Sequence, residues 1–553
     1  QTINAGGTAS DTTINDGGGQ TINAGGTTSD TTINNGGDLH INAGGTANNV
    51  TFTQGGLFRV GYGGNITATN VTLAEDTTWI INTDATLSGH YADGESFSIA
   101  NGAANNIVLN TGTSILYVNS GDTATDTTIN AAGEQTIYDG STASGTTIND
   151  RGKQFIEDGG IALGTIINNN GEQHVDAGGT ASGTTINAGW QYIFSSGTAS
   201  DTTINAGGSQ HIFSSGTASG TTVNNGGKLT LENENAILQG TTLINTGGIL
   251  DAESGVVTNN GVLEFNENAS RSEDAFLQGS GSLVKSGSGT LTLSRNNTYT
   301  GGTNINGGTL DANSLTALGT GDVTNHATLN LNAAGEYTLA SLTTDDGGVT
   351  SLDAGTTLAT TTLEQQDGST LNINLSNTAS SPVITADNAS LDGTLNLTVD
   401  SGTYTSDRDL GTTVLIDAQN AITGDFDSVT TTASTPDYLT FGTGINASDN
   451  TQYLTGTGLS WYADENNGIT DAHGTFTLDA GQSFEVTGVL ADVTANAGWD
   501  GKTLTKEGDG TLTLSGNNTY SGGTDINGGT LDANSLTALG SGDVTNHANL
   551  NLN

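Results

Sequence analysis

The chain has 553 residues, with 83 glycines, 2 prolines and no cysteine, and its 57 acidic and 10 basic residues leave a formal net charge of −47. That charge argues against nucleic acid and anionic membranes as partners, and the missing cysteine excludes disulfides and thiol chemistry. No apolar run of about 20 residues offers a membrane-spanning helix; Gln1 is not an initiator methionine and no signal peptide is visible, as expected of a processed or engineered fragment.

Residues 1–73 repeat at 19-residue intervals: "QTINAGGTASDTTINDGGG" at Gln1 returns as "QTINAGGTTSDTTINNGGD" at Gln20. One apolar column runs Ile14, Ile33, Phe52, Val71, and a second runs Ile3, Ile22, Ile41, Val60. Small residues such as Ala9, Thr28 and Ala47 mark a third inward position. The local period is two and glycine is abundant, so a helix is excluded. A single unit is too small to bury a core. If each unit makes one turn of a coil, like positions stack about 4.8 Å apart and the columns become a continuous core. The expected fold is all-β: a right-handed parallel β-helix of about 19–22 residues per rung, roughly 25 rungs and over 100 Å long. A β-propeller is the alternative, but its repeats are about twice as long.

Residues 74–120 break the pattern and read as broader rungs, a bend or a small excursion. Regular rungs resume over 121–245, with columns Ile129, Ile148, Ile167, Ile186, Ile204, Val223 and Ile137, Ile156, Val175, Ile193, Ile212, Leu231. Two residues before the latter column stand Gln135, Gln154, Gln173, Gln191, Gln210 and Leu229. By alternation these glutamines point inward and form an amide ladder. Residues 246–553 continue the β-helix and hold two 50-residue copies, 283–332 and 504–553, that differ at eight positions.

Two outward surfaces stand out. The first flanks the isoleucine column: Thr13 and Asn15, Thr32 and Asn34, Thr128 and Asn130, Thr147 and Asn149, Thr185 and Asn187, Thr203 and Asn205, Thr222 and Asn224, with Asp11, Asp30, Asp126 and Asp201 beside them. Such a face carries donors and acceptors and can complement itself. It equally suits solvent-facing residues whose Asn ladders stabilise turns. The second surface holds Tyr138, Phe155, Tyr192, Phe194, His211 and Phe213, a candidate ligand face for sugar or protein.

Catalytic signatures are missing: there is no G-D-S-G, G-x-S-x-G or H-E-x-x-H. His174 and His211 share an outward column but lie two turns apart, too far for one zinc ion. The pairs Asp407 with Asp409 and Asp425 with Asp427 have the residue types of a glycosidase but read as surface acids in so acidic a chain. Asp139 and Asp158, with Glu157 and Asp176 beside them, form a stacked acidic column without a calcium-loop pattern. No metal or cofactor is implied.

The "GGTASDTTIN" units and the stretch "LSGHYADGESFSIANGAANNIVLNTGTSILYVNSGDTATDTTIN" resemble AIDA-type self-associating autotransporter passengers, the family of antigen 43 and the adhesin involved in diffuse adherence. "GSGTLTLSRNNTYTGGTNINGGTL" and its copy resemble the passenger-associated transport repeat. The resemblance implies a non-enzymatic passenger on the outer membrane of a Gram-negative bacterium. It implies homophilic contact between neighbouring cells, aggregation and biofilm formation, and turns the Thr/Asn face toward an interface. It also implies a C-terminal translocator barrel, heptosyltransferase modification in some relatives, and in others adhesion to host matrix protein or glycan. A β-helical polysaccharide-degrading enzyme is the reading from the catalytic class.

Overall fold

The computed structural model describes residues 1–375, 381–399, 404–432, 435–465 and 472–553. They divide into two compact units, one of residues 1–291 and 297–302, the other of 292–296 and 303–553.

The first unit is a parallel β-solenoid. The first apolar column pairs rung on rung, Ile129 with Ile148, then Ile167, Ile186 and Ile204. Gln135, Gln154, Gln173, Gln191 and Gln210 pair in the same way, as do Ala143, Ala162, Ala181, Ala199 and Ala218. Each regular rung thus contributes to three parallel sheets, here called the isoleucine, glutamine and alanine sheets. All three columns are buried. Turn chemistry explains the paired glycines. Gly207 has φ +82°, and a Cβ on Gly208 would lie 2.5 Å from the Ile186 carbonyl oxygen of the rung before. The second position here admits only glycine, whereas Ala132, Arg151 and Asn170 hold the first at positive φ on other rungs.

Within residues 74–120 the chain leaves the parallel ladder. Thr86–Tyr91 pairs antiparallel with Ser96–Ala100, which pairs antiparallel with Ala103–Asn105 before the parallel ladder resumes. Trp79 meets Tyr91 and Phe97 edge-on, Phe97 at 5.1 Å, while Tyr91 and Phe97 tilt against each other. Large rings fill the space where the rung widens.

The second unit is also mostly parallel, from Thr309–Ala312 through Thr328–Leu331 and Val349–Leu352 to Ser428–Thr431. An antiparallel element interrupts the parallel ladder within 246–553. Leu439–Ile445 and Gln452–Leu459 form an antiparallel hairpin that also pairs antiparallel with Thr412–Ala418. Separate parallel sheets then form, including Ser483–Val486, Thr511–Leu514, Thr530–Ala533 and Asn549–Leu552. In the 50-residue copies, Lys285 and Lys506 are buried. Lys506 Nζ donates to the carbonyls of Glu507, Gly508 and Gly528 at 2.5, 2.8 and 3.3 Å, which caps a turn from inside.

Candidate adhesive faces

The outward isoleucine-sheet face divides by chemistry. Its asparagines bond to one another along the axis. Asn130 Nδ2 donates to Asn110, and Asn149, Asn168, Asn187, Asn205, Asn224, Asn245 and Asn266 continue the chain at 2.8–3.0 Å. Asn34 donates to Asn15 at 2.7 Å near the start. Every internal amide of the ladder is therefore already committed, and most are half-buried. The threonines differ. Thr13, Thr32, Thr128, Thr147, Thr185, Thr203 and Thr222 point outward and carry no side-chain hydrogen bond among the described residues. On the regular rungs the inward threonine just before this position closes the core instead. Thr146, Thr165, Thr184 and Thr221 each donate to a buried glutamine at 3.2 Å.

Backbone conformation accounts for the aspartates. Asp11, Asp30, Asp126 and Asp201 have φ of 52–54°, as do Asn49, Asn70 and Asn106 in the same corner column. Gly145, Gly164, Gly183 and Gly220 occupy that corner on other rungs. Asp, Asn and Gly are the residues that adopt this left-handed conformation most cheaply. The carboxylates project from an exposed corner, but the local fold already explains their presence.

The glutamine sheet carries the rings. Phe155, His174, Tyr192 and His211 form one column, with centroids 4.8, 5.1 and 5.4 Å apart. Phe194 and Phe213 stack beside it at 5.0 Å and 15°. Tyr138 stacks with Tyr117 at 6.3 Å, and Tyr62 joins at 5.8 Å. All the ring positions named from the sequence are brought to this one sheet. Alternation placed His174 in one outward column with His211 but left Trp190, which lies outward next to Gln191, off the ligand face. The signal was available, since Trp190 occupies an outward position. Polar pairs border the rings: the ion pairs Lys153 to Glu172 at 3.2 Å and Lys228 to Asp251 at 2.7 Å, and a hydrogen bond between His211 and Glu232 at 2.6 Å. Burial pushes the Glu172 carboxyl up, but hydrogen bonds from His174 and Lys153 more than offset it and hold the group below its ordinary value. Burial pushes the Tyr117 hydroxyl up to about 12, with Tyr62 beside it adding to the shift.

The acidic pairs find structural partners. Asp407 accepts from the Thr487 and Gly488 backbone amides at 2.7–3.0 Å, and the Asp409 side chain lies outside the described residues. Asp427 gathers with Asp367 and Asp392 rather than with Asp425, their oxygens within 4.8 Å of one another. The Asp392 carboxylate beside it raises the Asp427 carboxyl above its ordinary value. Three carboxylates at that spacing could hold a divalent cation; Asp139 and Asp158 belong to no such group among the described residues.

One further feature escaped the sequence reading. On a single rung, Ile161, Leu163 and Ile166 point outward and are 37%, 42% and 41% exposed. They replace the Thr, Ser and Thr of neighbouring rungs.

The repeats match known families. "Adhesin of bacterial autotransporter system, probable stalk" matches residues 88–152 and 186–227, and "Passenger-associated-transport-repeat" matches 283–312 and 504–533. The adhesin BmaC autotransporter of Brucella suis biovar 1 (strain 1330) is 44% identical over 89 residues, which span 15% of this chain and 2% of that protein. A crystal structure of a TibC-catalysed hyper-glycosylated TibA fragment is 30% identical, covers 52% of this chain and 88% of that one, and has a TM-score of 0.33.

Proposed function

We propose that this chain, a cell-surface autotransporter passenger by its stalk and transport repeats, is a non-enzymatic adhesin that binds further copies of itself on neighbouring cells. Aggregation and biofilm formation follow from that contact. The observation that carries the reading is the column of outward threonines. Their hydroxyls are unspent, they recur on most of the regular rungs, and they stand on a backbone fixed by internal ladders. Each hydroxyl contact contributes about 1 kcal/mol or less. A second copy aligned along the sheet repeats the contact at every rung, so avidity supplies the strength. The asparagines named with them support the face rather than grip across it.

Mixing two cell populations, only one of which displays the chain, tests the reading. Clumps should contain the displaying cells alone. Equal recruitment of bare cells would replace like-to-like binding with a heterophilic receptor.

The aromatic column supports a second reading. Stacked rings bordered by ion pairs suit a host matrix protein or glycan. In that case, substituting Tyr192 and Phe213 would abolish host-cell binding and leave clumping unchanged.

A further inference from the structure

A face that repeats every 19 residues has a defect as an interface, because it matches itself equally well after a slip of one rung. We propose that the rung holding Ile161, Leu163 and Ile166 removes this degeneracy: it is a register pin that seats against the same rung of a second copy. The proposal rests on the self-association reading above and adds where the two copies meet.

The three side chains straddle one corner of the first unit. Ile161 and Leu163 lie on the alanine sheet and Ile166 on the isoleucine sheet, with Gly164 at the bend between them. Their neighbours on the same two sheets are uncharged, while the acidic column of Asp139, Asp158 and Asp176 stands at the turn that precedes Ile161. Thr142 and Ser144 precede them on the rung before, Thr180 and Ser182 follow on the rung after, and Thr147 and Thr185 flank Ile166. The corner column itself reads Asp126, Gly145, Gly164, Gly183, Asp201, so the acids stop two rungs short of the patch on either side. A chain of net charge −47 repels its own copies over most of its surface, and here an aliphatic centre sits among hydroxyls on its own two sheets, with the acids confined to the turn before Ile161. An apolar centre with a polar rim is the arrangement that concentrates binding energy at protein interfaces.

The occupant follows from the same facts. Sliding one copy by a rung would place these aliphatics against Thr and Ser and leave both surfaces partly wet. In register they bury each other. Three side chains fall far short of the ~800 Å² per partner of a stable interface, so the patch positions the pair and the threonine columns lengthen it. One rival register exists, in which the patch meets Ile237 and Leu243. Both are half-buried, and Gln239 stands where Leu163 would.

The chain lacks cysteine, so introduced cysteines report the register directly. Ser144→Cys and Ser182→Cys flank the patch, and Ser219→Cys lies three rungs beyond it. Purified single-cysteine chains are mixed in pairs and oxidised. In register, Ser144→Cys joins Ser182→Cys if the copies run antiparallel, or each joins itself if they run parallel. Neither joins Ser219→Cys. The triple change Ile161→Thr, Leu163→Ser, Ile166→Thr installs the residues of neighbouring rungs and keeps the fold. It should scatter the cross-links, with mixed Ser219→Cys products appearing and dimer affinity dropping about tenfold. Dominant mixed Ser219→Cys products in the parent chain, or an unchanged pattern in the triple variant, overturns the pin while leaving self-association standing. A parent chain that stays monomeric and forms no cross-link at any position overturns self-association itself.

Discussion

Gln173 donates from Nε2 to Oε1 of Gln154 at 2.7 Å, across one rung of the solenoid core. Gln191 and Thr184 in turn donate to Gln173 Oε1, at 2.6 and 3.2 Å. The core is therefore an apolar stack with a fully buried polar wire through it. Such wires stabilise only when each member is satisfied. Where leucine interrupts the column the defect shows. Gln20 Oε1, next to Leu39, and Thr242 Oγ1, which meets Leu229 in place of a glutamine, are buried without a partner.

Substitution at Gln173 should separate packing from hydrogen bonding. Gln173→Ala opens a cavity and breaks the wire, at a cost of about 2–4 kcal/mol. Gln173→Leu keeps the volume and should cost about 1 kcal/mol less. Leu229→Gln should be neutral or stabilising, because it offers partners to Gln210 and Thr242. Local hydrogen exchange of residues 172–192 and 209–232 is the suitable measurement, since a solenoid need not unfold in one step. Equal costs for Ala and Leu would mean that the wire contributes nothing.

The two residue types of the isoleucine-sheet face should respond differently. Thr128→Lys, Thr147→Lys, Thr185→Lys and Thr203→Lys together should abolish clumping and leave the circular dichroism unchanged. Asn168→Ala with Asn187→Ala should lower stability by about 1–2 kcal/mol and clumping only in proportion. If the asparagine changes abolish clumping in a chain of unaltered stability, the division of labour is reversed.

At Asp201, φ is 53°. Asp201→Gly should be tolerated, because Gly183 and Gly220 occupy that corner on adjacent rungs, whereas Asp201→Val should cost about 1–2 kcal/mol. The glycine variant also removes a charge near the proposed contact and should dimerise more tightly. Denaturant midpoints and sedimentation check the two statements independently.

Ionic strength gives a signed prediction. Copies of net charge −47 repel each other, and salt shortens the reach of that repulsion to about 8 Å at 0.15 M. Association should strengthen as sodium chloride rises from low values. Weakening across the same range would point to ion pairs between copies instead of hydroxyl and aliphatic contacts.

The Glu172 cluster has a pH signature. Its carboxyl titrates below the ordinary 4.5 in the folded chain, so its contribution to stability is complete above about pH 4.5 and is lost as pH falls through the lower folded value. Fluorescence of Trp190, which pairs with Glu172 on the next rung, should report loosening in that acid window. Glu172→Gln should remove the step. An identical acid profile in the variant would assign the transition to other carboxylates.

What the 19-residue period determined was the parallel coil itself, its inward glutamines, and which side chains face out, because a coil with one unit per turn forces like positions into register. Alternation even placed the rings on one sheet. Tertiary structure decided how those outward groups are spent. Asn149 and Asn187 look as free as Thr147 and Thr185 in one dimension, yet stacking puts each amide within reach of the next and commits it, while the shorter hydroxyls reach nothing. Alternation likewise turns Ile161, Leu163 and Ile166 outward beside the inward Ala162 and Ile167, but only the folded rung shows that all three gather at one exposed corner. A repeat sets direction along the chain; only distance between neighbouring rungs sets which groups remain unpaired.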